Sequence, residues 1–167
     1  MAQPPRLLLE IAAMLTIAPM TPKQTHEFAS IWIPWLEGMG RVVEAEDAAI
    51  MANPAAYYRA SGGEAFLARI GTETVGTVAI KGLGPSGFEF CKLVVSDGAR
   101  GTGAGRALVE QCLDFAAAKG GPALYLQSFK ALDVALGLYE RMGFADAPAP
   151  PGMNVLARTQ VIMAKSV

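Results

Sequence analysis

The stretch Val94-Val95-Ser96-Asp97-Gly98-Ala99-Arg100-Gly101-Thr102-Gly103-Ala104-Gly105-Arg106 leaves an apolar strand, passes a glycine-rich turn and runs straight into a helix. Glycines let a backbone approach a ligand closely and point successive N–H groups at it. The helix N-terminus adds roughly half a positive charge, and Arg100 and Arg106 add two whole ones. Such a loop suits a phosphate or pyrophosphate. The two commonest phosphate loops do not fit. No GxxxxGK followed by Ser or Thr occurs in the chain. A GxGxxG reading from Gly101 needs glycine where Arg106 stands, and no acidic residue follows at the required distance in a strand. A plain strand-to-helix turn is the bland alternative, but it needs one or two glycines and no flanking arginines.

Working outward, residues 88–95 read as the strand before the loop and 103–119 as the helix after it. Leu108, Val109, Cys112, Leu113 and Ala116 form one face of that helix, and Arg106, Glu110 and Asp114 the other. Gly120-Gly121-Pro122 ends it. A strand over 123–127 follows, then a helix over 132–142 closed by Gly143 as a left-handed cap. After Pro148-Ala149-Pro150-Pro151, residues 155–164 read as a final strand. This alternation predicts an α/β sheet with parallel character in the second half.

Upstream, 15–18 reads as an opening strand. Thr21-Pro22-Lys23-Gln24 has a capping-box pattern with Pro at the first helical position. Phe28, Ile31, Trp32, Trp35 and Leu36 recur at helical spacing, in a helix that Pro34 should bend or end early. A short helix over 44–52 stops before Asn53-Pro54. Strands over 66–70 and 75–80 flank Gly71-Thr72-Glu73-Thr74 as a hairpin.

The chain has 167 residues, one domain in length and enough to bury roughly 70% of its unfolded surface without a staple. Residues 1–13 are expected to be a leader, free to be disordered, and 14–167 a single domain. Arg6 before Leu7-Leu8-Leu9 faintly suggests a signal peptide, but Glu10 interrupts it and no clean cleavage site follows. Lys+Arg 14 against Asp+Glu 15 gives a net charge of −1, which argues against nucleic acid or an anionic membrane as partner. The longest uncharged run, 11–22, is too short to span a bilayer. His26 is the one histidine, which removes most zinc sites, and no metal is expected. Cys91 and Cys112 lack metal-ligand spacing and read as buried free thiols in a reducing, cytoplasmic setting.

The pattern Arg100-x-x-Gly103-x-Gly105 resembles the pyrophosphate loop of the GNAT superfamily of N-acetyltransferases, Arg/Gln-x-x-Gly-x-Gly/Ala after a central strand. A second block, Ala135-Leu136-Gly137-Leu138-Tyr139-Glu140-Arg141-Met142-Gly143-Phe144, is similar to the family's A-x-x-L-Y-E-x-x-G-F. The two lie in family order with a helix and a strand between. The resemblance extends more weakly from about Met14 to the end. It implies the GNAT α/β (α+β) fold, a mixed, mostly antiparallel sheet with helices on both faces.

It also implies acetyl-CoA as cosubstrate. Arg100, Gly101, Thr102, Gly103, Ala104, Gly105 and Arg106 would hold the pyrophosphate, and the backbone of Leu93 and Val95 the pantetheine amides. Tyr139 matches the family's general acid near the CoA sulfur. Its ordinary pKa of ~10 exceeds a thiol's ~8.5, so donation is uphill by about 2 kcal/mol. The alternative for Tyr139 is a ring packed in the core. Glu89 is the candidate base: four residues before Leu93, it should share a sheet face with it in a regular strand. A solvated strand carboxylate or an ion pair with Lys92 is the alternative. Many relatives carry an asparagine shortly before the tyrosine, where Leu132 and Val134 stand here. Cys91 reads as packed, His26 as an exposed helix residue. Trp32, Trp35, Tyr57 and Tyr58 lie where the family builds its acceptor cleft.

The implied activity is direct acetyl transfer to a primary amine of a small molecule or peptide, with a homodimer compatible with the family. The rival is a non-catalytic acyl-CoA-binding sensor that keeps the loop and has lost turnover.

Overall fold

A computed structural model describes residues 2–167, and their side chains except at residues 11 and 12. The strands are β1 (Leu15–Pro19), β2 (Glu64–Ile70), β3 (Glu73–Gly82), β4 (Phe88–Val95), β5 (Ala123–Ser128), β6 (Ala145–Asp146) and β7 (Val161–Ser166). The helices are α1 (Arg6–Met14), α2 (Thr25–Gly38), α3 (Ala45–Ala52), α4 (Pro54–Ala60), α5 (Ala104–Ala118) and α6 (Asp133–Arg141). The strands form one sheet in the order β1-β2-β3-β4-β5-β7-β6. Only β4 and β5 run parallel; every other neighbouring pair is antiparallel. The expected parallel character is confined to that one pair.

Strand alternation sorts the core into two layers. Phe66, Ala68, Val78 and Ile80 face Leu108, Val109 and Cys112 of α5 and Tyr139 of α6. Ala65, Leu67 and Ala79 face Phe28, Trp32 and Leu36 of α2, with Met51 of α3 and Tyr58 of α4. Helices therefore cover both faces, with α2, α3 and α4 on one and α5 and α6 on the other.

The capping expectation at Thr21 holds in one arm: its N–H donates to Gln24 Oε1 at 2.9 Å, opening a single 3₁₀ turn before α2. Pro34 does not end α2, which runs on to Gly38. An interior proline costs about 3 kcal/mol. Phe28, Trp32 and Leu36 are buried on the other side of it, and each such side chain returns about 1.5–3 kcal/mol. α4 was not expected: Asn53 caps it by accepting from Ala56 N at 3.1 Å, and Pro54 opens it. The last strand starts at Val161, not at 155, for a reason that lies in the site.

α1 exposes most of its surface, Leu7 and Leu9 included. Deleting residues 1–13 is expected to leave the far-ultraviolet circular dichroism and melting temperature of the remaining domain nearly unchanged. A drop of many degrees would show α1 to be packed as part of it.

Candidate active site

β4 and β5 pair only at their starts, Phe88 with Leu124 and Glu89 with Tyr125. From Phe90 to Val95 the β5-facing edge of β4 is unpaired and opens into a cavity of about 750 Å³. A bulge in β4 accompanies the splay. Thr77 pairs with Val94 and Ala79 with Cys91, so Lys92 and Leu93 together oppose Val78. Lys92 takes the left-handed φ of 58°, a conformation that costs a non-glycine residue about 1–2 kcal/mol. Three contacts hold it there. Thr77 Oγ1 donates to its carbonyl at 2.8 Å, its ammonium lies 4.1 Å over the Trp32 ring, and Asp47 stands 3.6 Å away.

The bulge corrects one expectation. An extra residue reverses strand parity, so Glu89 and Leu93 do not share a face. Phe90, Leu93 and Val95 pack toward α5 and α6, whereas Cys91 and Val94 pack toward α2. Glu89 alternates with Phe90 and so sits on the Cys91 side.

The glycine loop presents a donor cradle. Gly101 and Gly103 adopt φ of 77° and 85°, and Gly103 is the N-cap of α5. The first helical N–H with a backbone partner is Ala107, bonded to Gly103 O at 3.0 Å. Among the described residues the N–H groups of Gly103, Ala104, Gly105 and Arg106 have none, and they converge at the positive end of α5. Thr102 is buried with its hydroxyl donating to Ala99 O, which fixes the turn. Arg100 and Arg106 are exposed and pair loosely with Asp97 and Glu110, each at 3.1 Å. Exposed pairs of this kind contribute little, so both guanidiniums can turn to a phosphate.

Glu89 is neither solvated nor paired with Lys92. It is 6% exposed, and Gln127 Nε2 donates to its Oε2 at 2.9 Å. Burial raises its pKa above the ordinary carboxylate value, with the Gln127 hydrogen bond, Lys81 and Lys92 opposing. Gln127 uses its whole amide. Nε2 also donates to Asn154 O at 2.8 Å, and Oε1 accepts from Leu156 N at 3.0 Å and Thr159 Oγ1 at 2.6 Å. These bonds draw residues 154–159 out of the sheet ladder and over the cavity, which is why β7 begins late. Nothing in the sequence singled out Gln127, because its partners lie far along the chain.

Tyr139 also lines the cavity. Its ring stands edge-on to Phe90 and Phe144, centroids 5.4 and 6.2 Å away. Burial raises its pKa well above the usual phenol value. Its hydroxyl has no hydrogen-bond partner among the described residues, yet no polar side-chain atom is both sealed and unpartnered, so the phenol opens on the cavity. Leu132 and Val134 line it too. Trp32 and Trp35 contribute to the opposite wall; Tyr57 and Tyr58 do not, Tyr58 being buried in the core beneath. His26 is exposed. Cys91 faces Tyr58 Oη at 3.5 Å, and burial pushes its thiol up to about 11, which leaves it a poor nucleophile. Arg41 and Arg158, unremarked in the sequence, reach the same cavity.

A family model for the acetyltransferase (GNAT) family matches residues 25–144, a span that holds β4, the glycine loop and the Tyr139 block. The chain belongs to that family. The acetyltransferase is similar in fold to a GNAT-family acetyltransferase from Staphylococcus aureus at 18% identity and TM-score 0.82, covering 91% of this chain and 98% of that one. An acetyltransferase from Streptococcus agalactiae gives 17% identity and 0.81 over 92% and 99%. One from Salmonella typhimurium, solved with acetyl-CoA, gives 14% identity and 0.71 over 92% and 94%. No curated protein sequence matches. Among the described residues, no helix is long and apolar enough to cross a membrane.

Acetyl-CoA, the family's cosubstrate, supplies an acetyl group already activated as a thioester. The acetyltransferase fits it on two observations of its own: the unpaired edge of β4 has backbone groups that would be available to the pantetheine amides, and the unpartnered N–H groups of α5 are donors that would be available to the pyrophosphate.

Proposed function

We propose that this acetyltransferase moves the acetyl group directly to a primary amine in a ternary complex, with Glu89 taking the amine's proton and Tyr139 protonating the departing thiolate. A C–N bond forms as the C–S bond breaks, and one proton leaves nitrogen as another reaches sulfur. The observation that carries the reading is a single cavity lined by the α5 donor cradle, the open β4 edge, Glu89 and Tyr139 together.

A lysine-like amine is less than about one part in a thousand neutral at pH 7, so it needs a base, whereas an α-amine is about a tenth neutral. Burial makes ionised Glu89 a stronger base than an exposed carboxylate. Gln127 fixes which oxygen is engaged and leaves the other free. The raised pKa of Tyr139 keeps it protonated at neutral pH but makes it a weaker acid, so its proton transfer to sulfur is more uphill than at the ordinary phenol value. Cys91, which sits beside Tyr58, and the buried Cys112 are free thiols, and the reading assigns the protein to a reducing, cytoplasmic setting. The acceptor in this reading is a small-molecule or peptide amine.

The test is release of free thiol from acetyl-CoA across a panel of amines. Amine-dependent release is expected, and none at all would return the protein to the sensor class. Tyr139→Phe should slow turnover by about 10²-fold or more at little cost in acetyl-CoA affinity. An unchanged rate across pH would leave Tyr139 a packing residue beside Phe90 and Phe144.

A further inference from the structure

Arg41 and Arg158 both line one recess, and neither is used by the chemistry above. Arg41 lies in the connection between α2 and α3, half-buried, its guanidinium 5.0 Å over the Phe129 ring. Arg158 lies in the 154–159 segment that Gln127 ties to Glu89, and is also half-buried. Both line the main cavity and an adjoining recess of about 460 Å³. The described lining of the recess, with Phe129 and Gln160 beside the two arginines, holds no carboxylate, whereas the main cavity also carries Glu89 and Asp133. Among the described residues, neither arginine makes an ion pair. The other half-buried cation of the cleft, Lys92, is already held by Asp47 and Trp32.

Two uncompensated guanidiniums facing one recess raise the local potential and favour a bidentate anion. The recess shares Met39, Phe129 and Ala131 as well as the two arginines with the main cavity, and its described lining includes no residue of the glycine loop. We infer that Arg41 and Arg158 form an anion subsite selecting an acceptor that carries a carboxylate a few bonds from its reacting amine, the chemistry of an amino acid or a close analogue. The inference rests on the transferase reading and narrows its acceptor.

The test pairs acids with their amides. Protein saturated with CoA is titrated with a panel of N-acetyl-L-amino acids and the matching carboxamides, so that no single side chain decides the outcome. At least one acid should bind about tenfold or more tightly than its amide, and Arg41→Gln and Arg158→Gln should each abolish the difference. Inorganic phosphate run as a competitor should displace the acid from the parent protein and have no such effect on the amide. No acid–amide difference anywhere in the panel, or one that survives both substitutions, overturns the inference. Acetyl-CoA affinity measured on each variant reports that it is folded. If acetyl-CoA fails to bind the parent, the transferase reading falls; an arginine-dependent acid preference measured without CoA still decides the subsite.

Discussion

Gly103→Val is expected to weaken acetyl-CoA binding by about 10–100-fold. Gly103 caps α5 at a φ of 85°, where a side chain costs about 1–2 kcal/mol and a β-branched one more. Nothing stands near the Cβ it would gain, so the penalty is conformational and not a clash. The loop relieves it by leaving the left-handed region, which turns the N–H groups of Gly103 and Ala104 away from the ligand. Gly105→Ala separates space from strain. Its Cβ would meet Leu138 Cδ2 and Val95 Cγ2 at 3.8 Å, ordinary contact, so the free protein keeps its melting temperature. Any affinity lost there reports the close approach of the ligand itself. Calorimetry on both variants measures the effect; unchanged affinity in Gly103→Val would make the loop a turn and nothing more.

Glu89→Gln is expected to cut amine acetylation by about 10²–10⁴-fold, the usual range for a general base, while acetyl-CoA affinity holds. The parent rate should fall as pH drops through the raised pKa of Glu89, because only the carboxylate accepts the proton; the variant should lose that acid limb. Stability moves the other way. A carboxyl whose folded pKa is raised binds a proton more readily folded than unfolded, so its contribution declines as pH rises from the ordinary carboxylate value to the folded one. Above that window the parent carries a desolvated charge that the variant lacks, and Gln127 Nε2 can still donate to the new amide. Glu89→Gln should therefore melt no lower than the parent at neutral pH. A pH profile identical in parent and variant would remove Glu89 from the chemistry.

Much of this architecture is local, and local features are readable. β4 and the turn into α5 follow from an apolar run meeting glycines, and Gly143 closes α6 at the predicted left-handed position, φ 96°. What was illegible is long-range. The bulge at Lys92 depends on Thr77, Trp32 and Asp47, none of them adjacent in sequence, and it reversed the face assigned to Leu93 relative to Glu89. Gln127 looks like any half-buried strand residue until four partners from β4 and the 154–159 segment converge on it. The same bonds took 155–160 out of the strand that its Val-Leu composition suggested. Arg41 and Arg158 are separated by most of the chain and acquire meaning only where the fold brings both into the lining of one recess.

The most direct measurement is a calorimetric titration of the protein with acetyl-CoA, beside ATP and NAD. Selective binding of acetyl-CoA, abolished or greatly weakened in Gly103→Val, is the predicted result. Folded protein that ignores acetyl-CoA, or that binds ATP or NAD as well, would contradict the assignment of the α5 cradle and with it the transferase mechanism.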